Sequence, residues 1–149
     1  MRKNRWALLI ACVVELIAIE PKPLREVAKS HITGNVPSVE EFRPFLIRDL
    51  AAYLKPQYGE GLQIGYELLR KGPNQSGVAY PKYYLWLTFT NAQNTVVEGA
   101  TRVAAIDHRE FNITDFMPSS EINAEPGIVS RVFPKPLVSK ILSLAKKVR

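Results

Sequence analysis

The sequence predicts an α+β fold, in which an amphipathic helix packs on a curved antiparallel sheet of about four strands and a further helix closes the chain. Three observations carry this expectation. The spacing of apolar residues changes from helical to alternating near Leu62, a helix-capping pattern opens the segment before that change, and helical spacing returns after Lys135. With 149 residues, 46% of them hydrophobic and 23% charged, the chain suffices for one such core without disulfides or metal.

Residues 1–20 form a distinct segment. Basic residues at Arg2, Lys3 and Arg5 precede an apolar run from Trp6 to Ile19 that is interrupted by Glu15. This layout fits an export signal or a short membrane anchor, and equally a buried first helix, since the run is shorter than the roughly 20 residues that span a bilayer. The stretch LIAC, Leu9 to Cys12, resembles a bacterial lipobox with a shortened apolar core. Export, membrane association and a cytoplasmic location therefore all stay open. Residues 21–37, with Pro21, Pro23, Gly34 and Pro37, read as a connector holding at most a helical turn around Leu24 to Lys29, and residues 38–149 as one domain.

In SVEEFRPFLIRDLAAYLKP, Ser38 and Glu41 make a capping box, which predicts a helix over Ser38 to Lys55. Phe42, Phe45, Leu46, Leu50, Tyr53 and Leu54 share its apolar face, Pro44 threatens a kink, and Pro56 is expected to end it. In LQIGYELL the apolar positions Leu62, Ile64, Tyr66 and Leu68 alternate with polar ones, as in a strand with one face wet. A loop from Lys71 to Ala79 leads to a second strand, Tyr80 to Thr90, with Tyr83, Leu85, Leu87 and Phe89 on one face and Lys82, Tyr84, Trp86 and Thr88 on the other. TVVEGATRVAAID is a third strand, bent or bulged at Gly99, and Phe111 to Met117 a fourth. PSSEINAEPG reads as a loop and IVSRVF as an edge strand. The final helix starts at Pro136 and lines Leu137, Ile141, Leu144 and Val148 along one face.

The element order from Ser38 to Met117 resembles the cystatin-like and NTF2-like superfolds. NTVVEG, Asn94 to Gly99, resembles the Q-x-V-x-G loop with which cystatins block papain-like proteases, but Thr95 stands at the glutamine position. A basic N-terminus and apolar segment before an NTF2-like body is similar to membrane-tethered assembly factors of type IV secretion systems, whose membrane spans are longer.

Charge and composition narrow the functional classes. The net charge of +6 and pI near 9.5 favour an acidic partner. Nucleic acid fits poorly, because Arg2, Lys3, Arg5, Lys140, Lys146, Lys147 and Arg149 crowd the ends of the chain and no aromatic-flanked basic run accompanies them. Cys12 is the single cysteine, so no internal disulfide forms, and neither a metal nor a cofactor is expected.

No phosphate loop, nucleophile elbow or metal-binding motif is present. The leading expectation is a non-catalytic domain that binds a protein partner or a small apolar ligand. Candidate contacts are Lys82, Tyr84 and Trp86 on the second face of the central strand, with Asn74, Gln75 and Ser76 in the preceding loop. The alternative, implied by the NTF2-like resemblance, is a small-molecule isomerase, cyclase or dehydratase using Asp107 or Asp115 with Tyr66 in an apolar pocket. Asp107 and His108, being adjacent, read more naturally as a polar turn.

Overall fold

A computed structural model describes residues 24–148. The expectations for residues 1–20 lie outside the described residues, and among those described no helix is long and apolar enough to cross a membrane. Two helices, α1 (Leu24–Asn35) and α2 (Val39–Tyr58), precede the strands β1 (Gln63–Leu68), β2 (Lys82–Thr90), β3 (Val96–Ile106) and β4 (Glu110–Pro118); α3 (Ser119–Ala124), α4 (Val129–Val132) and α5 (Lys135–Lys147) follow. The strands form one antiparallel sheet in chain order. The fold is α+β, and helices cover both faces of the sheet.

Strand β2 shows why two covers are needed. Tyr83, Tyr84, Leu85, Trp86 and Leu87 are all buried, so alternate side chains need shelter on opposite sides. On one side, Leu46 and Leu50 of α2 meet Tyr83, Leu85, Leu87, Val103 and Phe111. On the other, Ile122 of α3, Val129 of α4 and Leu137, Ile141 and Ala145 of α5 meet Tyr84, Trp86 and Ala100. Each large side chain so withdrawn from water contributes about 1.5–3 kcal/mol before the entropy of ordering is subtracted.

Several element boundaries differ from the sequence expectation. The supposed connector is helical over Leu24–Asn35, and Gly34 falls in the last turn of that helix. Helix α2 passes both of its prolines. Pro44 is exposed, so water can reach the carbonyl left without its partner, and beyond Pro56 the helix continues to Tyr58, whose ring packs edge-on to Phe89 at 4.8 Å. Gly59, at φ 86°, ends it and donates its N–H to the Lys55 carbonyl. Tyr53, placed on the apolar face by spacing, is 46% exposed.

The segment read as an edge strand is the helical turn α4. Ile128, Val129 and Phe133 are buried at helical spacing, and the Ser130 hydroxyl donates to the Gly127 carbonyl. The loop before it contains α3, whose one large apolar residue, Ile122, was too little to set a period.

The irregularity expected at Gly99 lies between Arg102 and Val103, where Thr114 is the unpaired residue of β4. Gly99 answers a different demand: a Cβ there would collide with the Met117 carbonyl and the Phe116 ring. Thr101, fully buried, is satisfied by donating its hydroxyl to the Asp115 carbonyl at 2.6 Å.

Helix α1 joins the body through its last residue. The Asn35 side-chain oxygen accepts the Asp107 N–H at 3.1 Å, its backbone carbonyl accepts the His108 N–H at 3.0 Å, and its amide nitrogen donates to the His31 carbonyl. Asp107 and His108, at φ 49° and 59°, are the central residues of the β3–β4 turn. The His108 Nδ1 lies 2.9 Å from the Val36 carbonyl and so donates to it when it carries the ring proton.

Two substitutions test this account. Gly99→Ala should destabilise the protein by about 1–3 kcal/mol, because backbone must shift to admit the methyl group. Urea denaturation measures this directly, and an unchanged midpoint would contradict the close approach. Asn35→Ala should strip a part-buried N–H of its partner, costing about 1–3 kcal/mol. Limited proteolysis should then cut more readily near Val36, and a protection pattern like that of the parent would show that the joint does not hold α1.

Candidate functional site

The most promising recess among the described residues is an apolar groove of about 400 Å³ between the start of α2 and β1. The capping of α2 positions one wall: Ser38 accepts the Glu41 N–H, which starts the helix at Val39 and aims Phe42 at the sheet. Val36, Pro37 and Val39 form this wall, Tyr66 and Leu68 of β1 form the other, and Phe42 and Tyr83 lie between them. The Phe42 ring meets Tyr83 and Phe111 edge-on at 5.0 and 4.9 Å, which fixes the groove floor.

The mouth is open and apolar, with Val39 90% and Leu68 38% exposed. Arg43 also lines the groove, with its guanidinium 5.8 Å from the centre of the Tyr66 ring. Among the described residues no carboxylate forms an ion pair with Arg43. Burial pushes the Tyr83 phenol up to about 12. Two other recesses offer less: a smaller one at the end of α2 and an open one along α1, both without aromatic lining.

The groove adjoins a sheet edge. Because the Leu69 N–H donates to the Tyr84 carbonyl and pairing alternates along an antiparallel ladder, Glu67, Gly65 and Gln63 turn their backbone groups towards β2. Ile64, Tyr66 and Leu68 therefore turn theirs outward. At the start of the opposite edge α2 takes up backbone groups: Asp49 accepts the Phe111 N–H and, in the turn before β4, Arg48 donates to the Arg109 carbonyl, both at 2.7 Å.

The residues singled out by sequence fall in separate places. Tyr84 and Trp86 are only 4% and 5% exposed, covered by this chain's own C-terminal helices, so they are core residues and not free contacts. The Trp86 indole N–H donates to Glu98 at 3.1 Å. Lys82 is half-buried and exchanges backbone hydrogen bonds with Asn74, which extends the ladder beyond β1. Gln75 ties its own loop by donating to the Gly77 and Ala79 carbonyls, while Ser76 is exposed and Val78 stands outward.

Of the residues named for the enzymatic alternative, Tyr66 lines the groove and the other two lie elsewhere. Asp107 sits in the exposed β3–β4 turn. Asp115 pairs with Arg102 at 2.6 Å on the sheet face that carries α4, opposite the groove. The three do not converge. Among the described residues, no group of three or more His, Cys, Asp or Glu side chains is placed to hold a metal ion. Residues 97–99 of the cystatin-like stretch lie within β3, paired on one side to β2 and at Gly99 also to β4, and do not form a projecting loop.

No protein-family model, curated protein or solved structure matches the chain.

Tyr83 offers a check on the groove floor. The folded protein keeps its phenol neutral to about pH 12, whereas an unfolded chain releases that proton near pH 10, so stability should fall as pH rises between these values. A Tyr83→Phe variant should lose stability less steeply over that window in thermal denaturation. Equal slopes would mean that the Tyr83 hydroxyl is not shielded from water.

Proposed function

We propose that the chain is a non-catalytic binding or scaffold domain whose site is the groove between α2 and β1, and that it takes an apolar portion of a protein partner or a small apolar ligand. The observation that carries this reading is the arrangement of the groove itself: a braced aromatic floor, exposed Val39 and Leu68 at the mouth, and one cation beside them. Such sites bind by withdrawing apolar surface from water and use few polar groups to orient the occupant. Residues 1–20, basic and then apolar, support attachment to a membrane as a second element of the proposal. Helix α1 would then connect that attachment to the groove wall at Val36 and Pro37.

The test uses 8-anilinonaphthalene-1-sulfonate, an apolar anion, titrated into the full-length protein. Saturable fluorescence enhancement is expected, with affinity lowered about tenfold or more, equivalent to about 1.4 kcal/mol, by Leu68→Asp or Val39→Asp. Both positions are exposed, so the fold should tolerate the changes. Dye binding unaffected by either substitution would remove the groove as the site.

A further inference from the structure

We infer that the groove's occupant is an extended peptide, apolar at alternate positions and carrying carboxylates, which adds to the free edge of β1 as a further strand of the sheet. This rests on the groove being the binding site and goes beyond it by assigning backbone pairing and charge to the partner. The first support is the contrast between the edges. Side chains of α2 take up backbone groups at the start of β4, but the described residues leave the outward N–H and C=O groups of Ile64, Tyr66 and Leu68 uncovered. A natural sheet usually blunts such an edge, and an edge kept open beside an apolar recess has the geometry of strand addition.

The alternation of a strand supplies the second support. A chain paired with β1 would direct every other side chain to the α2 face, where Val39, Phe42 and Leu68 offer apolar contact. The intervening side chains would lie on the α5 face, beside Glu67 and its partner Lys140. Chain pairing and groove filling thus require the same peptide conformation.

Charge selects among occupants of that shape. Arg43 lies in the groove, and Arg70 and Lys71 are exposed just beyond β1; among the described residues none of the three is in an ion pair. A carboxylate at a groove-facing position of the added strand, beside Arg43, and another at its end near Arg70 and Lys71 would supply the missing anions. The same cations count against a second copy of this chain. Antiparallel pairing of two β1 strands about Tyr66 would bring the two Arg43 side chains, each lying over a Tyr66 ring, towards one another.

A fluorescein-labelled valine–glutamate heptapeptide, with threonine at the positions that would face α5 and valine at those that would face the groove, one of them replaced by glutamate to meet Arg43, tests the inference by fluorescence anisotropy with the full-length protein. It should bind saturably, and the corresponding valine–lysine peptide should bind at least about tenfold more weakly. Two further versions carry N-methyl groups on alternate amides, in one frame or the other. Only one frame should abolish binding, because only one set of amides faces β1. If neither frame matters but Leu68→Asp still weakens binding, strand addition is overturned and the groove reading survives. If the valine–glutamate peptide fails to bind at up to about 1 mM, the inference is overturned, while the dye titration judges the groove independently.

Equal binding of the lysine peptide would overturn the assigned charge. Hydrogen exchange gives a separate control: the amides of Ile64, Tyr66 and Leu68 should exchange rapidly in the protein alone and slowly with the peptide. Slow exchange without peptide would show that a segment of this chain or a second copy already occupies the edge, and would overturn the proposal.

Discussion

Burial of both faces of β2 is the constraint on which the rest of this structure depends. Tyr83 to Leu87 put aromatic and leucine side chains alternately above and below the sheet, and no single helix can cover both. One cover comes from α2, which precedes the strands, and the other from α3 to α5, which follow them. The three-layer arrangement is thus a response to one strand's composition. It also bears on the groove, which opens where the first residues of α2 face Tyr66 and Leu68 of β1.

The sheet was the most legible part of the sequence. Alternation located the strands to within a residue or two, and the capping box marked the start of α2, because both signals are local and repeated. Local signals failed where tertiary contact decided the outcome. Pro56 does not end α2, since Tyr58 is held against Phe89, and α3 and α4 are too short to show a period even though Ile122 and Val129 are fully buried. Gly99 was recognised as special, but its role depends on a carbonyl in β4 that its own neighbourhood cannot reveal.

The candidate site was less legible for the same reason. Tyr84 and Trp86 have the composition of a contact surface, and only the placement of α5 shows that they are core. Tyr66 was named for chemistry and lies in the groove without a carboxylate of the predicted pair, whereas Val39, Phe42, Arg43 and Leu68 had no motif to announce them. A signal was nevertheless present. The first strand of a meander has a neighbour on one side, so β1 was bound to be an edge, and Leu68 continued its apolar alternation at a position that the structure leaves partly exposed.

The division of the two covers between opposite ends of the sheet's sequence has a consequence for synthesis. As the chain leaves the ribosome, α2 is available when β2 appears, so the face bearing Leu85 and Leu87 can be sheltered at once. The face bearing Tyr84 and Trp86 stays wet until the segment from Ser119 onward has followed. For that interval the nascent sheet exposes an aromatic surface that the finished protein conceals, which makes it a natural point of capture by a chaperone and the stage most exposed to aggregation.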